Sequence, residues 1–245
     1  MPRTDVMGVM LDNLTMQQFA ARAQALLEHG SGARVVTPNA EIIWQAMHDP
    51  AYRQILNGSE LVLPDGAGVL LGARILGTPL REKVPGVEFG ERICAMLAKT
   101  GGRLYLLGGR PGVAEQAGQK LQKKYPGLRI CGTADGYFAD EAKAVRRIAR
   151  ARPDAVFVCL GVPKQERFMQ DFGAQTGAKL LLGLGGSLDV YAGRVRRAPK
   201  WMIRCNLEWL YRLLREPSRL GRALCLPKFV ICCLLEQRRR KRKYG

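Results

Sequence analysis

The feature that most constrains the fold is a repeated alternation of short apolar runs with helical segments. The runs are continuously apolar, which is typical of parallel strands covered on both faces. We therefore expect an α/β fold with a Rossmann-like open, mostly parallel sheet and flanking helices. Strands are predicted at Val6–Leu11, Arg34–Thr37, Glu60–Leu63, Arg103–Leu107, Leu128–Cys131, Ala155–Leu160 and Lys179–Leu182, and helices near 15–29, 40–57, 66–76, 87–99, 111–124, 140–151 and 164–175.

Positive charge is concentrated in the last fifth of the chain. The formal net charge is +18 over 245 residues, yet residues 194–245 alone hold 16 basic and 3 acidic side chains. This asymmetry predicts an α/β domain at 1–193 and a basic helical appendage at 194–245. An anionic partner is expected, whether nucleic acid, a membrane surface or a phosphorylated substrate.

Cysteine and histidine usage argues against several protein classes. Seven cysteines without a C-x-x-C pair disfavour disulfide scaffolds and zinc ribbons, and fit the cytosol. The two histidines match no metal-ligand spacing, and there is no D-x-D motif, so no metal is expected. No apolar stretch reaches the roughly 20 residues that a membrane span needs, and no signal peptide is predicted.

Polar side chains follow two of the predicted strands. Ligands of open α/β sheets bind beyond the carboxyl ends of the strands, which makes Thr37, Asn39 and Asp65 candidate site residues. Asn39 suits either a ligand contact or the N-cap of the next helix. Asp65 suits either a general base, which takes a proton from a hydroxyl nucleophile, or a helix cap. Both interpretations stay open for both residues.

Later strands are followed by glycine-rich loops. Gly108 and Gly109 precede a predicted helix, which fits phosphate binding by backbone N–H groups or a plain tight turn. Lys164 and Gln165 begin the predicted helix at 164–175. Lys164 could contact phosphate and Gln165 a sugar or base; the alternative is a solvated turn. Asp189 lies in a further flexible loop at the same edge.

The appendage combines cationic and apolar residues. Arg212, Arg215, Arg219 and Arg222 would form one basic stripe on a continuous helix, although Pro217 interrupts the pattern. The alternative is a solvated basic face. An amphipathic helix is predicted at 201–215, followed by an apolar segment at 224–235 and six basic residues at 238–243. Together they predict interfacial attachment to anionic lipid.

Motifs along residues 6–225 resemble one family in order and in register. The sequence resembles the WecG/TagA/CpsF family of bacterial glycosyltransferases. The matching motifs are TPNAE at 37–41, Asp65-Gly66, KVPG at 83–86, YLLGGRPGVAEQA at 105–117, YPGL at 125–128, DGYF at 135–138, GVPKQE at 161–166 and RRAPKW with NLEWLYRLLREPSRLGR at 196–222.

The resemblance implies an inverting, metal-independent transfer of N-acetylmannosamine from UDP-ManNAc to GlcNAc on undecaprenyl diphosphate, without a cofactor. The product would feed a surface polysaccharide such as teichoic acid, common antigen or exopolysaccharide. Another UDP-hexose, such as UDP-glucose, is the alternative donor. The implied location is cytoplasmic and peripheral, on the inner face of the cell membrane, as a monomer or an oligomer.

The resemblance also implies residue roles. Asp65 matches the general base, Thr37 and Asn39 match residues near the donor sugar, and Gln165 matches an amide lining the pocket. Lys83 matches a basic residue that neutralises diphosphate. Tyr137 and Asp189 fall in rim motifs, and Arg212, Arg219 and Arg222 match appendage arginines that close over the site and contact the acceptor diphosphate.

Three other classes compete with this interpretation. A nucleic-acid-binding protein would explain the charge, but aromatic residues make up only 7% of the chain and the tail contains no recognised binding module, so no nucleic acid is expected. An NAD-dependent oxidoreductase would need G-x-G-x-x-G, which the loop at Gly108 matches poorly. A non-catalytic membrane adaptor would tolerate the loss of Asp65.

Overall fold

The computed structural model describes residues 3–215, 221 and 224–244. The predicted site residues Arg219 and Arg222, and the side chain of Arg212, lie outside the described residues. The strands are β1 (Arg3–Val6), β2 (Val9–Asp12), β3 (Ala33–Val36), β4 (Leu61–Val62), β5 (Arg103–Gly108), β6 (Arg129–Ala134), β7 (Ala155–Cys159) and β8 (Leu180–Gly183).

Six of these strands form one parallel sheet in the order β4-β3-β8-β7-β5-β6, which confirms the expected α/β class. Successive residues of the central strands point into different cores: Phe157 of β7 packs on one face, and Val156 and Val158 pack on the other. Both faces are thus covered, which is why the strands are continuously apolar.

The predicted first strand, Val6–Leu11, is wrong: this segment turns back on itself. β1 and β2 pair antiparallel in a hairpin separate from the main sheet. Met7 and Gly8 occupy the turn with φ values of 55° and 87°, and the Gly8 N–H donates to Asp5 Oδ1 at 2.7 Å. Positive φ at both central residues matches the twist of a tight two-residue hairpin.

The helices that flank the sheet largely follow the predicted segments. The prediction of one helix at 40–57 is wrong, because Asp49 has extended backbone before Pro50 and its side chain caps a new helix at Tyr52 N. The helices are α1 (Met16–His29), α2 (Ala40–His48), α3 (Pro50–Asn57), α4 (Ala67–Ile75), α5 (Gly86–Thr100), α6 (Val113–Lys124), α7 (Glu141–Arg150), α8 (Lys164–Phe172) and α9 (Ser187–Tyr191).

The strand order creates a crevice at the middle of the sheet. From β3 the chain continues outward to β4, whereas from β5 it continues outward to β6 at the opposite side. β7 and β8 fill the centre between these two halves. Such a reversal opens a crevice at the carboxyl ends of the central strands, where ligands of open α/β sheets bind.

The C-terminal segment adds α10 (Lys200–Arg204), α11 (Glu208–Arg215) and α12 (Cys225–Tyr244). The predicted single helix at 201–215 is interrupted at Asn206, whose φ is 60°. α12 packs against the body: Phe229 and Cys233 are fully buried in the core that also contains Val69 and Ala73 of α4. Among the described residues, no helix combines the length and apolarity of a membrane span.

Candidate active site

Thr37 lies directly after β3 and is tied to the neighbouring strand. Its hydroxyl donates to the carbonyl oxygen of Gly183 at the end of β8, at 2.9 Å, and only 6% of the residue is exposed. Gly86, the first residue of α5, packs on the Thr37 side chain so closely that a Cβ there would come within 3.1 Å of Thr37 Cγ2. Thr37 therefore joins the ends of two strands and the start of a helix.

Asp65 lies in the loop after β4, pointing at the same helix. Its Oδ2 accepts a hydrogen bond from Gly86 N at 3.3 Å. The loop is fixed on both sides, because Asp65 N donates to Pro38 O and Val84 N donates to Pro64 O. A carboxylate at a helix N-terminus is stabilised in its charged form, which is the form that a general base requires.

Asn39 caps a helix beside this loop. Its Oδ1 accepts from Ile42 N at 2.9 Å, which confirms the N-cap interpretation for α2. Its side chain also lies close to the Asp65 loop: a Cβ on Gly66 would be 3.8 Å from Asn39 Cβ. Gly66 is the N-cap of α4, with φ of 91° and no side chain to provide a cap.

Gln165 lies in the first turn of α8, the helix that follows β7, and is almost completely buried, with 1% exposed. Its Oε1 accepts from Gly185 N at 2.9 Å, and its Nε2 donates to Glu166 Oε1 at 2.7 Å. Burial raises the pKa of Glu166 to about 7, although the hydrogen bond from Gln165 and the neighbouring Tyr52 hydroxyl oppose the shift. Sequence reasoning missed Glu166; the helical spacing of three from buried Met169 was the signal for its burial.

The glycine-rich loop after β5 lies across the crevice from Asp65. Gly108 has φ of 130°, and a Cβ there would overlap the carbonyl oxygen of Cys159, so no other residue fits. Gly109 O accepts from Gly136 N at 2.9 Å, which joins the ends of β5 and β6. The packing at Gly108 therefore explains the tight turn. The loop also leads into the N-terminus of α6, as the phosphate-binding interpretation requires.

Lys164 and Tyr137 lie at the outer rim of the same loops. Lys164 Nζ donates to Gly136 O at 3.2 Å and lies 4.6 Å from the centre of the Phe138 ring. Tyr137 is 72% exposed. Asp189 is in the first turn of α9, and its backbone carbonyl accepts from Arg194 N and Val195 N. These contacts join none of the three residues to Thr37 or Asp65.

Lys83 and Arg197 connect the body to the C-terminal segment. Lys83 Nζ donates to Asn206 Oδ1 at 3.0 Å, at the junction of α10 and α11. Arg197 bridges Glu88 of α5, at 2.9 Å, and Glu208 of α11, at 3.3 Å. Burial disfavours the Arg197 charge, but the two carboxylates outweigh it and raise its pKa. The C-terminal segment is thereby held next to the loop that carries Asp65.

Among residues 3–215, 221 and 224–244, no three His, Cys, Asp or Glu side chains cluster in a way that would hold a metal ion. All seven cysteines are free thiols. The polar groups near Gly86 at the crevice are the Asp65 carboxylate, the Thr37 hydroxyl and the Asn39 amide, with Lys83 close by. This set can bind a polar ligand and remove a proton from a hydroxyl group.

The chain matches known proteins over nearly its whole length. Residues 4–243 match the family described as "Glycosyl transferase WecG/TagA/CpsF family". A protein of Bacillus subtilis (strain 168) is 38% identical over 213 residues, covering 87% of this chain and 83% of that protein. One of Staphylococcus aureus (strain MRSA252) is 32% identical over 230 residues, covering 93% and 91%.

Both relatives carry the name N-acetylglucosaminyldiphosphoundecaprenol N-acetyl-beta-D-mannosaminyltransferase. The similarity extends over the α/β body and most of the C-terminal segment, so it is not confined to a shared nucleotide-binding fold. The chain therefore belongs to the WecG/TagA/CpsF family of glycosyl transferases.

Proposed function

We propose that this chain transfers N-acetylmannosamine from UDP-ManNAc to GlcNAc on undecaprenyl diphosphate, in the synthesis of a bacterial surface polymer. The names of its relatives support the substrates. The observation that carries the chemistry is the Asp65 carboxylate, which the N-terminus of α5 holds beside Thr37 at the carboxyl edge of the sheet.

In the proposed reaction, Asp65 accepts the proton of the acceptor hydroxyl as its oxygen attacks the anomeric carbon of the donor. The bond from that carbon to the UDP oxygen breaks, and UDP leaves with the electron pair. Attack from the face opposite the leaving group inverts the anomeric centre. Thr37 and Asn39 would contact the donor sugar, with Gln165 holding the adjacent loop.

The departing diphosphate needs positive charge, and the chain can supply it from its own side chains. Lys83 has three N–H donors, of which Asn206 takes one. Arg212, Arg219 and Arg222 would add charge from the C-terminal segment, and Gly108, Gly109 and Lys164 would bind at the α6 side of the crevice. We therefore propose that transfer does not depend on a metal ion.

The test is transfer by the purified full chain, with UDP-ManNAc, UDP-GlcNAc and UDP-glucose as donors and a lipid-diphosphate GlcNAc acceptor. We expect activity with UDP-ManNAc, unchanged by EDTA. Asp65→Asn keeps an acceptor for Gly86 N, so the variant should fold, while the rate falls by about 10²–10⁴-fold. The exposed Asp171→Asn on α8 is the matched control.

Each arm of this assay has a contradicting outcome. Full activity of Asp65→Asn would remove Asp65 as the base, and transfer from UDP-glucose alone would establish the alternative donor. Activity lost in EDTA and restored by Mg²⁺ would refute metal independence.

We also propose that the chain acts at the inner face of the cell membrane, bound through α12. Ile231, Leu234 and Leu235 are 44–56% exposed, and they lie on one side of the helix. Arg238, Arg239 and Arg242 continue the same side at helical spacing and are exposed. An apolar stripe that continues into cations fits attachment to anionic lipid.

A further inference from the structure

Glu166 is a buried acidic residue without a role in the reaction proposed above. It lies in the first turn of α8 and is 1% exposed, although glutamate is almost never fully buried unless it is paired. Its Oε1 accepts from Gln165 Nε2, and its carboxyl group lies beside the phenol of Tyr52 on α3. Among the described residues, neither Glu166 Oε2 nor the Tyr52 hydroxyl has a partner at a distance and angle that make a hydrogen bond.

Glu166 determines which way the Gln165 amide points. With Oε1 toward Gly185 N and Nε2 toward Glu166, both ends of the amide are paired. The reversed amide would place N–H against the Gly185 N–H, so that contact would be lost. It would also place a carbonyl against Glu166, which has no donor when its carboxyl group is ionised. Without an acceptor at position 166, only the Gly185 contact would oppose that reversal.

The Gln165 amide supports the loop between β8 and α9, next to the proposed catalytic group. It lies against the last residue of β8: a Cβ on Gly183 would be 3.1 Å from Gln165 Nε2. The carbonyl of the same Gly183 accepts from the Thr37 hydroxyl. Beyond Gly185 the loop borders open space, since a Cβ at Gly185 or Gly186 would meet no atom within 4 Å.

We propose that Glu166 is a positioning residue that orients the Gln165 amide, and through it holds the Gly185 backbone and the β8–α9 loop in place beside Thr37. This inference rests on the proposed sugar transfer for its effect on catalysis. The hydrogen-bonded chain itself does not depend on the identity of the substrates, and can be measured without them.

The first test is a double-mutant cycle on sugar transfer by the full chain. Glu166→Gln keeps an acceptor for Gln165 Nε2, and its own N–H can reach the Tyr52 oxygen, so activity should stay within about 3-fold of the parent. Glu166→Met removes the acceptor at similar size and should lower kcat/KM by about 10–100-fold, because a misplacement of about 1 Å near an active site can cost about 10²-fold. In a Gln165→Met background, the same change should cost less than about 3-fold.

The second test is hydrogen exchange of the Gly185 amide, followed by NMR. Its N–H should be protected in the parent chain and in Glu166→Gln, and should exchange at least 10-fold faster in Glu166→Met and in Gln165→Met. Amides in the centre of β7 should keep their protection in all variants, which shows that the fold is intact.

The outcomes separate the two proposals. Equal losses from Glu166→Met in both backgrounds, equal losses for Gln and Met at position 166, or unchanged Gly185 exchange in Glu166→Met would each overturn the positioning role. The expected exchange pattern in a chain that transfers no sugar would instead contradict the proposed function and leave the positioning of the loop intact.

Discussion

Two candidate residues each combine a structural and a chemical capability in one side chain. Asn39 uses Oδ1 to cap α2, yet its amide also has two N–H donors. Asp65 accepts from Gly86 N through Oδ2, yet a carboxylate offers about four lone-pair positions. A helix cap and a ligand contact are therefore compatible in Asn39, and anchoring and proton acceptance are compatible in Asp65.

The burial of Glu166 makes the stability of the chain depend on pH. The pKa of this carboxyl group rises from an ordinary value of 4.5 to about 7 in the folded chain, chiefly because burial disfavours the charge. Folding therefore takes up a proton between these two pH values. The contribution is fully favourable below about pH 4.5, declines as pH rises, and levels off above about pH 7.

We therefore predict that Glu166→Gln gains stability relative to the parent chain as pH increases from 5 to 8. The gain approaches about 3 kcal/mol, which corresponds to the raised pKa of a group that is almost completely buried. Urea denaturation at pH 5, 6, 7 and 8 measures it. The exposed Glu141→Gln on α7 is the control, and a constant difference between Glu166→Gln and the parent would contradict the prediction.

The GVPKQE motif was recognisable in the sequence, but the burial of its glutamate was not predicted. Charged residues are rarely buried, so residue type alone places Glu166 on the surface. Its burial depends on α3, which brings Tyr52 against α8 from a segment more than 100 positions earlier in the chain. The helical spacing from Met169 puts Glu166 on the buried side of α8, but the contact with Tyr52 is a consequence of tertiary packing that local propensity does not predict.

At the scale of elements, the parallel strands were predictable because each is buried on both faces and therefore continuously apolar. The N-terminal hairpin was not, because its turn uses Met7 at positive φ, where Asn or Asp is the usual signal. The end of α2 did have a local signal, the Asp49-Pro50 pair, which the helical apolar pattern on either side obscured.

The contact between α12 and α4 depends on a glycine that lets the two helices approach. A Cβ at Gly72 would come within 2.7 Å of the Phe229 ring and 3.1 Å of Cys233 Sγ. Gly68, one turn earlier, accommodates Leu226 in the same way. Both glycines therefore line the surface on which the apolar side of α12 rests.

We predict that Gly72→Ala destabilises this contact, because the added methyl overlaps the fully buried Phe229 ring. The cost should be about 1–3 kcal/mol, as for overpacking in other cores, partly offset by the higher helix propensity of alanine. Limited proteolysis should cut within α12 faster in this variant. Leu71→Ala, at an exposed position of the same helix, is the control; equal cleavage of both would contradict the prediction.

At the scale of the whole molecule, the positive charge that gives the net +18 is unevenly distributed. The α/β body is only mildly basic, and residues 194–245 hold most of the excess. The structure divides this segment into a part that Lys83 and Arg197 attach near Asp65, and a helix, α12, that packs against α2 and α4. The first part lies next to the proposed diphosphate site, and the second presents cations to the exterior.

The outer side of α12 gives the last prediction. Changing Arg238, Arg239 and Arg242 together to Gln should weaken binding to vesicles that contain phosphatidylglycerol by roughly 100-fold, at about 1 kcal/mol for each cation near the surface. The fold should be unaffected, because the body contacts α12 through Phe229 and Cys233 on its other side. Cosedimentation at low and high salt measures the effect, which salt should diminish.

A second triple variant separates position from net charge. Lys99→Gln, Lys123→Gln and Arg150→Gln remove the same three charges from exposed positions on the α/β body. If α12 is the attachment surface, this control keeps most of its vesicle affinity, because its charges lie away from the apolar stripe. Equal losses in the two triple variants would mean that overall charge alone attracts the chain to lipid, and would contradict attachment through α12.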